Sequence, residues 1–123
     1  MPDPIVSPDG RYALRFTCDM VGSAEWVYCP VLVDLFAQQV VFTLGGTLWS
    51  VEVACWADDS QILIMGLRRM LSKAPAVCAR VEPARKTACL DDSAYSIPLS
   101  QVYERLEARY QSWLQHRAVS RVK

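Results

Sequence analysis

The sequence predicts a mainly antiparallel α+β domain in which a β-meander of about six to eight strands precedes one C-terminal amphipathic helix. Three observations predict it. Short alternating apolar segments recur between turn-forming residues over residues 5–97. Residues 100–117 change to helical spacing. Hydrophobic residues make up 52% of the 123 positions, which is enough for a buried core in a single domain spanning residues 1–123.

The first strand follows a turn in the stretch SPDGRYALRF, residues 7–16. Pro8 presets the first central position of the turn, and Gly10 closes it. Beyond the turn, one face of the strand carries apolar side chains at every second position, namely Tyr12, Leu14, Phe16 and Cys18.

The next strands are predicted over Glu25–Leu35, Gln39–Leu44 and Thr47–Trp56. Pro30 lacks the N–H that a ladder needs, so Glu25–Leu35 is either two short strands or one strand with a bulge at an edge. In Thr47–Trp56, strict alternation places Trp49 on one face with Val51, Val53 and Cys55. The same alternation places Trp56 on the opposite face.

The second half continues with Gln61–Leu67, whose almost uniform apolarity predicts a central strand covered on both faces. Residues 76–82 and 86–90 are predicted to form a hairpin through residues 83–85. After Pro98, Ser100 is the expected cap of the helix. Its apolar stripe is expected to lie on the sheet and contains Val102, Leu106, Tyr110, Trp113 and Leu114.

The composition excludes several classes of function. The 13 basic and 13 acidic residues cancel, which argues against binding to nucleic acid through phosphates. The N-terminal segment lacks the basic start and apolar run of a signal peptide, and the apolar segments are too short to cross a bilayer. We therefore expect a cytoplasmic protein without a membrane partner.

The residues that could carry chemistry form no catalytic motif. Five cysteines without a CxxC spacing are expected to be reduced and buried, with no metal role. The single histidine, His116, is expected to be a solvated helix residue. The acidic pairs Asp58-Asp59 and Asp91-Asp92 are expected to lie in solvated turns. The sequence thus predicts no enzyme, no cofactor and no metal site.

The chain also contains an internal repeat. Residues 7–14, SPDGRYAL, align with residues 57–64, ADDSQILI, fifty positions later. Val33-Asp34 aligns with Val81-Glu82, forty-eight positions later. A period near fifty residues that contains several short strands is typical of propeller blades.

These segments resemble the blades of WD-like and related bacterial β-propellers, which join a Trp, a Ser-Pro-Asp-Gly turn, a strand and a Val-x-Asp-Leu strand. Residues 56–60 and 33–35 match that pattern, and the resemblance implies repeats at about 7–46 and 57–90. Because a closed propeller needs about four to eight blades, we expect the two meanders to stack under the helix. The alternative is a ring assembled from several chains.

A weaker resemblance concerns function. Leu48-Trp49-Ser50 followed by residues 56–59 is similar to small bacterial proteins of unassigned role, some of which act as immunity proteins against toxins. It implies a non-catalytic protein that binds another protein, most concretely a toxin whose active site it blocks sterically. The expected contact residues are aromatic or basic, namely Trp26, Tyr28, Trp56, Arg68 and Arg69.

Two other functions remain open from the sequence. The chain could be a structural β module that self-assembles through its edge strands into a propeller-like oligomer. It could also be a small ligand-binding domain or enzyme that uses the acidic pairs. Net neutrality leaves both a monomer and a homo-oligomer possible.

Overall fold

The computed structural model describes residues 2–57, 61–91 and 93–122, with helix side chains as far as residue 117. It contains two antiparallel sheets and one C-terminal helix, which confirms the predicted α+β class. The first sheet has the order β1 (Ile5–Val6), β2 (Tyr12–Val21), β3 (Glu25–Asp34) and β4 (Gln39–Thr43). The second has the order β5 (Trp49–Trp56), β6 (Leu63–Arg69), β7 (Val77–Glu82), β8 (Thr87–Leu90) and β9 (Ile97–Pro98). A 3-10 turn over Leu99–Gln101 leads into α1 (Val102–Val122).

The described ranges contain nine strands, which is one more than the upper limit of the prediction. The additional elements include β1 and β9, which have two residues each. A strand of two residues is too short to show alternation in the sequence. β1 and β9 are recognised only by their pairing with a neighbouring strand.

The predicted turn at residues 7–10 joins β1 to β2. The Gly10 N–H donates to the Ser7 carbonyl at 2.9 Å, and the Tyr12 N–H donates to the Ser7 hydroxyl at 3.0 Å. Asp9 accepts the Ser7 hydroxyl proton at 2.7 Å and the Arg11 N–H at 3.0 Å. Gly10 has a φ of 74°, which a side chain would disfavour. The turn therefore closes the β1–β2 hairpin.

Pro30 lies within one continuous strand and does not divide it. β3 pairs with β2 along its whole length, and its register with β4 shifts between Leu32 and Val33. The Pro30 carbonyl accepts the Leu44 N–H at 3.0 Å, so it points towards β4. In a strand the N–H of a residue points to the same side as its carbonyl, so the position where Pro30 lacks an N–H also faces β4. The strand β4 has already ended there, at Thr43. β3 is an interior strand, but no residue of β4 pairs with it at Pro30. This position is therefore equivalent to the edge of a sheet, where proline is tolerated.

The predicted faces of β5 are wrong beyond Val51. The register with β6 shifts between Val51 and Val53, which marks a β-bulge at Glu52. The extra residue reverses the alternation, so Val53 is exposed and Trp56 packs against the core. Trp49 and Trp56 therefore lie on the same face, and a single-residue bulge cannot be read from alternation alone.

The expected double coverage of Gln61–Leu67 is also wrong. β6 begins at Leu63 and is central in its sheet, but only Leu63, Met65 and Leu67 are fully buried. The alternate positions Ile64 and Gly66 are half-exposed, because nothing in the described part of the chain stacks on the outer face of the second sheet.

The helix packs with fewer residues than predicted. Val102 and Leu106 lie in the core and Tyr110 packs at its margin, whereas Leu114 is 36% exposed. Ser100 lies inside the 3-10 turn that precedes α1, so the helix begins at Val102. The helix and the first sheet thus both contribute to the core against the inner face of the second sheet.

The two sheets share one backbone hydrogen bond and one positive φ angle at the predicted spacings. The Ser7 N–H donates to the Tyr12 carbonyl, and fifty residues later the Ala57 N–H donates to the Ile62 carbonyl, both at 2.8 Å. Gln38 and Lys86, forty-eight residues apart, share a φ of 55°. Each sheet also includes the strand before its first turn, which lies outside the repeat bounds 7–46 and 57–90. The resemblance to propeller blades stays a prediction.

All five cysteines are free thiols, but they are not all buried as expected. Cys29 is buried, Cys18 and Cys89 are half-buried, and Cys55 and Cys78 are exposed. The bulge at Glu52 turns Cys55 outward. Cys78 and Cys89 lie on the outer face of the second sheet, away from the core.

Asp34 makes stability depend on pH. Backbone hydrogen bonds, first from the Ala37 N–H, and the Arg11 guanidinium together hold the pKa of Asp34 below its usual range, although desolvation opposes them. A lowered folded-state pKa adds stability that is complete above about pH 4 and is lost as the pH falls through the folded value. We expect Asp34→Asn to lower the urea midpoint at pH 7 and to reduce its fall between pH 7 and pH 3.

Urea denaturation of both proteins at the two pH values measures this effect. Asp19→Asn is the control, because Asp19 is exposed and forms no ion pair within the described residues. The assignment to Asp34 is wrong if Asp34→Asn keeps the full wild-type fall in midpoint.

Candidate functional site

One face of the β2–β3 hairpin stays uncovered at its distal end. In the register of the two strands, Met20 lies opposite Trp26 and Cys18 lies opposite Tyr28. These four residues share one face and are called the tip surface. Met20 is 52% exposed and Trp26 is 48% exposed, while Cys18 and Tyr28 are half-buried.

The rest of this hairpin is packed. Nearer the turn of residues 7–10, Leu14 and its partner Leu32 lie on the same face and are fully buried in the core. Towards the tip, the opposite face is covered on β3, where Val27 and Cys29 are fully buried, but not on β2, where their partners Asp19 and Thr17 are exposed. The chain after β4 runs beside β3 here, and the Ser50 hydroxyl accepts the Tyr28 N–H at 3.0 Å. The tip surface is therefore a fixed feature of a packed hairpin.

The hairpin end contains two carboxylates. Between residues 17 and 29 the Asp, Glu, Lys, Arg and His residues are Asp19 and Glu25 alone, and both are exposed. They lie within about one Debye length of the tip surface in physiological salt, so their field acts on anything that approaches it. In the register of the two strands, both carboxylates lie on the face of the hairpin opposite the tip surface, whose four residues carry no formal charge.

The five predicted contact residues do not form one site. Trp26 and Tyr28 lie on the tip surface. Trp56 and Arg69 lie at opposite ends of the β5–β6 pair, roughly 20 Å apart at the usual rise per residue. Met20 and Cys18 were missed, because a two-residue loop at Gly22-Ser23 would pair Met20 with Glu25, whereas the observed loop over residues 22–24 pairs it with Trp26.

Trp56 has a packing role between the two sheets. Its ring stacks on Tyr12 with centroids 6.4 Å apart, and its Nε1–H donates to the Ile5 carbonyl at 3.0 Å. It thus ties the edge strand β1 to the second sheet.

We expect Trp56→Phe to keep the ring contact, lose this hydrogen bond and lower the free energy of unfolding by about 1 kcal/mol. Trp26→Phe is the matched control and should change it by less than about 0.5 kcal/mol, since Trp26 lies outside the core. Urea unfolding compares the two. Equal effects would contradict the packing role of Trp56.

The two arginines have different environments. Arg69 is largely covered: its Nε donates to Glu107 at 3.2 Å, and its guanidinium lies 3.9 Å from the centroid of Tyr110. It therefore fastens α1 to β6. Arg68 is half-exposed and pairs with Glu52 at 3.3 Å on the outer face of the second sheet. Only Arg68 of the two presents its charge at the surface.

A cavity of about 390 Å³ lies between α1 and the second sheet. Its walls include Trp49, Pro75, Val77, Tyr110, Trp113 and His116. The pair Asp91–Arg109 closes one side at 2.6 Å; Asp91 lies in a turn and is 39% exposed, as expected, and the ion pair is an addition to that expectation. His116 is exposed, as expected, and it also lines this cavity. The spacing of 109, 113 and 116 on one helix face is the signal that could have grouped them.

The structure describes only one residue of the two acidic pairs that the sequence analysis singled out. Asp58, Asp59 and Asp92 lie outside the described residues. The remaining carboxylate, Asp91, accepts the Cys78 N–H at 3.0 Å in addition to the Arg109 ion pair. Within residues 2–57, 61–91 and 93–122, no group of three or more His, Cys, Asp or Glu side chains is placed to hold a metal ion. No described helix is both long and apolar enough to cross a membrane.

Comparisons with known proteins show no relationship: no family model, no curated protein and no solved structure matches this chain.

Proposed function

We propose that the protein is a non-catalytic binding protein that attaches to another protein through the tip surface. The observation that carries the proposal is the directly opposed pair Met20 and Trp26, which stays about half exposed on an otherwise packed hairpin. Aromatic residues and Met are enriched in the centres of protein interfaces, and Trp is among the commonest hot spots. The tip surface has this composition.

The charges at the same hairpin end, on the face opposite the tip surface, indicate the chemistry of the partner. Asp19 and Glu25 favour a partner with an apolar pocket that is surrounded by Lys and Arg, because opposite charges steer the encounter. An acidic partner would meet repulsion at the same place. The preferred occupant is therefore a basic protein surface with an apolar centre.

In its most concrete form, this function is the inhibition of a bacterial toxin by covering its active site. Enzymes that act on nucleic acids carry basic substrate surfaces, which bind phosphates. An apolar tip with negative charge is suited to such a surface and would exclude the substrate sterically. Cytoplasmic location belongs to the same proposal.

Self-assembly is the second candidate, and the edge of β2 favours it. β1 pairs only with Ala13 and Leu14, so residues 15–21 of β2 have no strand partner on that side among the described residues. An open edge of this length can pair with the same edge of a second copy. This contact would leave the tip surface free.

The experiment that tests the proposal is purification of the tagged full chain from its native cell extract, with the solution mass of the complex measured alongside. The proposal expects a monomer bound to one basic protein, with an affinity that falls as salt is added. A homo-oligomer without another protein would support self-assembly instead. An acidic partner with salt-independent affinity would contradict the tip-surface assignment.

A further inference from the structure

The strand β2 has an open edge at the end that carries the tip surface. β1 pairs with it only at Ala13 and Leu14, so residues 15–21 have no strand partner on that side within the described ranges. An unpaired edge is a place where an extended segment of another chain can add as a further strand. The open edge therefore borders the surface through which the protein is proposed to bind.

The pairing on the other side of β2 shows which backbone groups point to the open edge. Pro30 lies opposite Phe16, and its carbonyl points to β4, where it accepts an N–H. Tyr28 lies opposite Cys18, and its N–H donates away from β2 to a hydroxyl of β5. Both pairs are therefore non-hydrogen-bonded, and the register of the two strands has no shift. Alternation then directs the N–H and carbonyl groups of Phe16, Cys18 and Met20 to the open edge.

An added strand meets different chemistry on the two faces of β2. On the tip surface, its side chains lie beside Cys18 and Met20. On the opposite face, one of its side chains lies opposite Asp19, which is exposed and forms no ion pair within the described residues. Asp19 takes a non-hydrogen-bonded position in this pairing, where opposed side chains come closest. A segment with alternating apolar and basic residues therefore suits both faces.

A second copy of β2 suits this edge less well. Antiparallel pairing of two such edges brings Asp19 opposite Arg15 only when Thr17 lies opposite its own counterpart. In that register, Met20 of one copy lies opposite Leu14 of the other, a position that β1 already occupies. The nearest register that avoids β1 places Asp19 opposite Thr17, so the carboxylate gains no cation. The charge on the edge thus favours a different, basic protein.

From these features we infer that the basic partner adds one extended segment antiparallel to residues 15–21 of β2, with apolar side chains beside the tip surface and a Lys or Arg opposite Asp19. Main-chain hydrogen bonds then supply affinity, and the alternating side chains supply specificity. The added strand and the tip surface form one interface, so this inference rests on the proposed function. It also gives the carboxylate on the face opposite the tip surface a direct contact with the partner.

A blocked peptide of alternating Val and Lys, as long as the open edge, tests strand addition to the full-length protein. At millimolar peptide, hydrogen exchange of the Phe16, Cys18 and Met20 amides should slow by about tenfold or more, because peptide carbonyls accept their N–H groups. The Thr17 and Asp19 amides point to β3 and should not change. Unchanged exchange of the first three amides would overturn the inference.

The charge of the peptide tests the contact with Asp19. A matched peptide of alternating Val and Glu should bind about tenfold more weakly than the Val–Lys peptide, because like charges directly opposite each other are destabilising. Asp19→Asn should reduce this preference to about threefold or less. Equal binding of both peptides by the wild-type protein would contradict the assigned position of the basic residue.

Two variants separate this inference from the proposed function. Met20→Pro removes an N–H that points to the open edge, where proline is tolerated, and Met20→Ala removes the same side chain but keeps the N–H. The Val–Lys peptide and the basic protein purified with the tagged chain should each bind Met20→Pro about tenfold more weakly than Met20→Ala. Equal affinities of these variants for the basic protein, with a loss in Trp26→Ala, would overturn strand addition and leave the tip-surface function standing. No loss in any of the three variants would contradict the proposed function itself.

Discussion

Trp26→Ala is expected to weaken binding to the partner by about 30-fold or more, which corresponds to the loss of at least about 2 kcal/mol that defines an interface hot spot. The side chain contributes half-exposed apolar surface next to Met20, and a partner pocket would bury both. Adding Met20→Asp places a charge in the centre of the interface and should abolish measurable binding. Isothermal titration with the purified partner measures both effects.

Phe36 provides the control for this prediction. It is 72% exposed, in the turn after β3, about 25 Å or more along the strand from Trp26. Phe36→Ala removes a comparable exposed aromatic side chain and should leave the affinity unchanged within about twofold. The tip surface is the wrong site if Phe36→Ala weakens binding and Trp26→Ala does not.

Leu106→Ala is expected to lower the free energy of unfolding of the whole protein by about 2–5 kcal/mol. Leu106 is fully buried in the core that the two sheets and α1 share. Natural domains are stable by only about 5–15 kcal/mol, so this change removes a large part of the total. Urea unfolding, followed both by far-ultraviolet circular dichroism and by tryptophan fluorescence, measures it.

Two further variants define the reason for this loss. Leu114→Ala changes an exposed leucine on the same helix and should alter stability by less than about 0.5 kcal/mol. Leu106→Met conserves volume and should cost less than about 1.5 kcal/mol. The shared core is contradicted if Leu106→Ala melts the helix early while the fluorescence transition stays in place.

Local patterns in the sequence predicted the elements that depend on neighbouring residues. The turn at Pro8-Asp9-Gly10 formed where its residue types required it, and the spacing of Val102 and Leu106 identified the buried side of α1. The repeat offsets of fifty and forty-eight residues reappear as matching backbone hydrogen bonds and positive φ angles. These features depend on interactions within a few positions of each other, which a sequence shows directly.

Features that depend on distant partners could not be predicted. The bulge at Glu52 is a property of the register between β5 and β6, and it reversed the faces of Val53 and Trp56. The role of Arg69 required knowing that α1 crosses near the end of β6. The cavity joins Trp49 to Trp113 across more than sixty positions. The candidate sites were therefore missed mainly where tertiary packing decides exposure.

Photo-crosslinking at position 26 tests the central claim most directly. A photoreactive phenylalanine derivative replaces Trp26 in one sample and Phe36 in another, and both are illuminated in native cell extract. The tip-surface account predicts that position 26 labels one basic protein and that position 36 does not label it. It is contradicted if position 26 labels only a second copy of this chain, or if both positions label the same proteins equally.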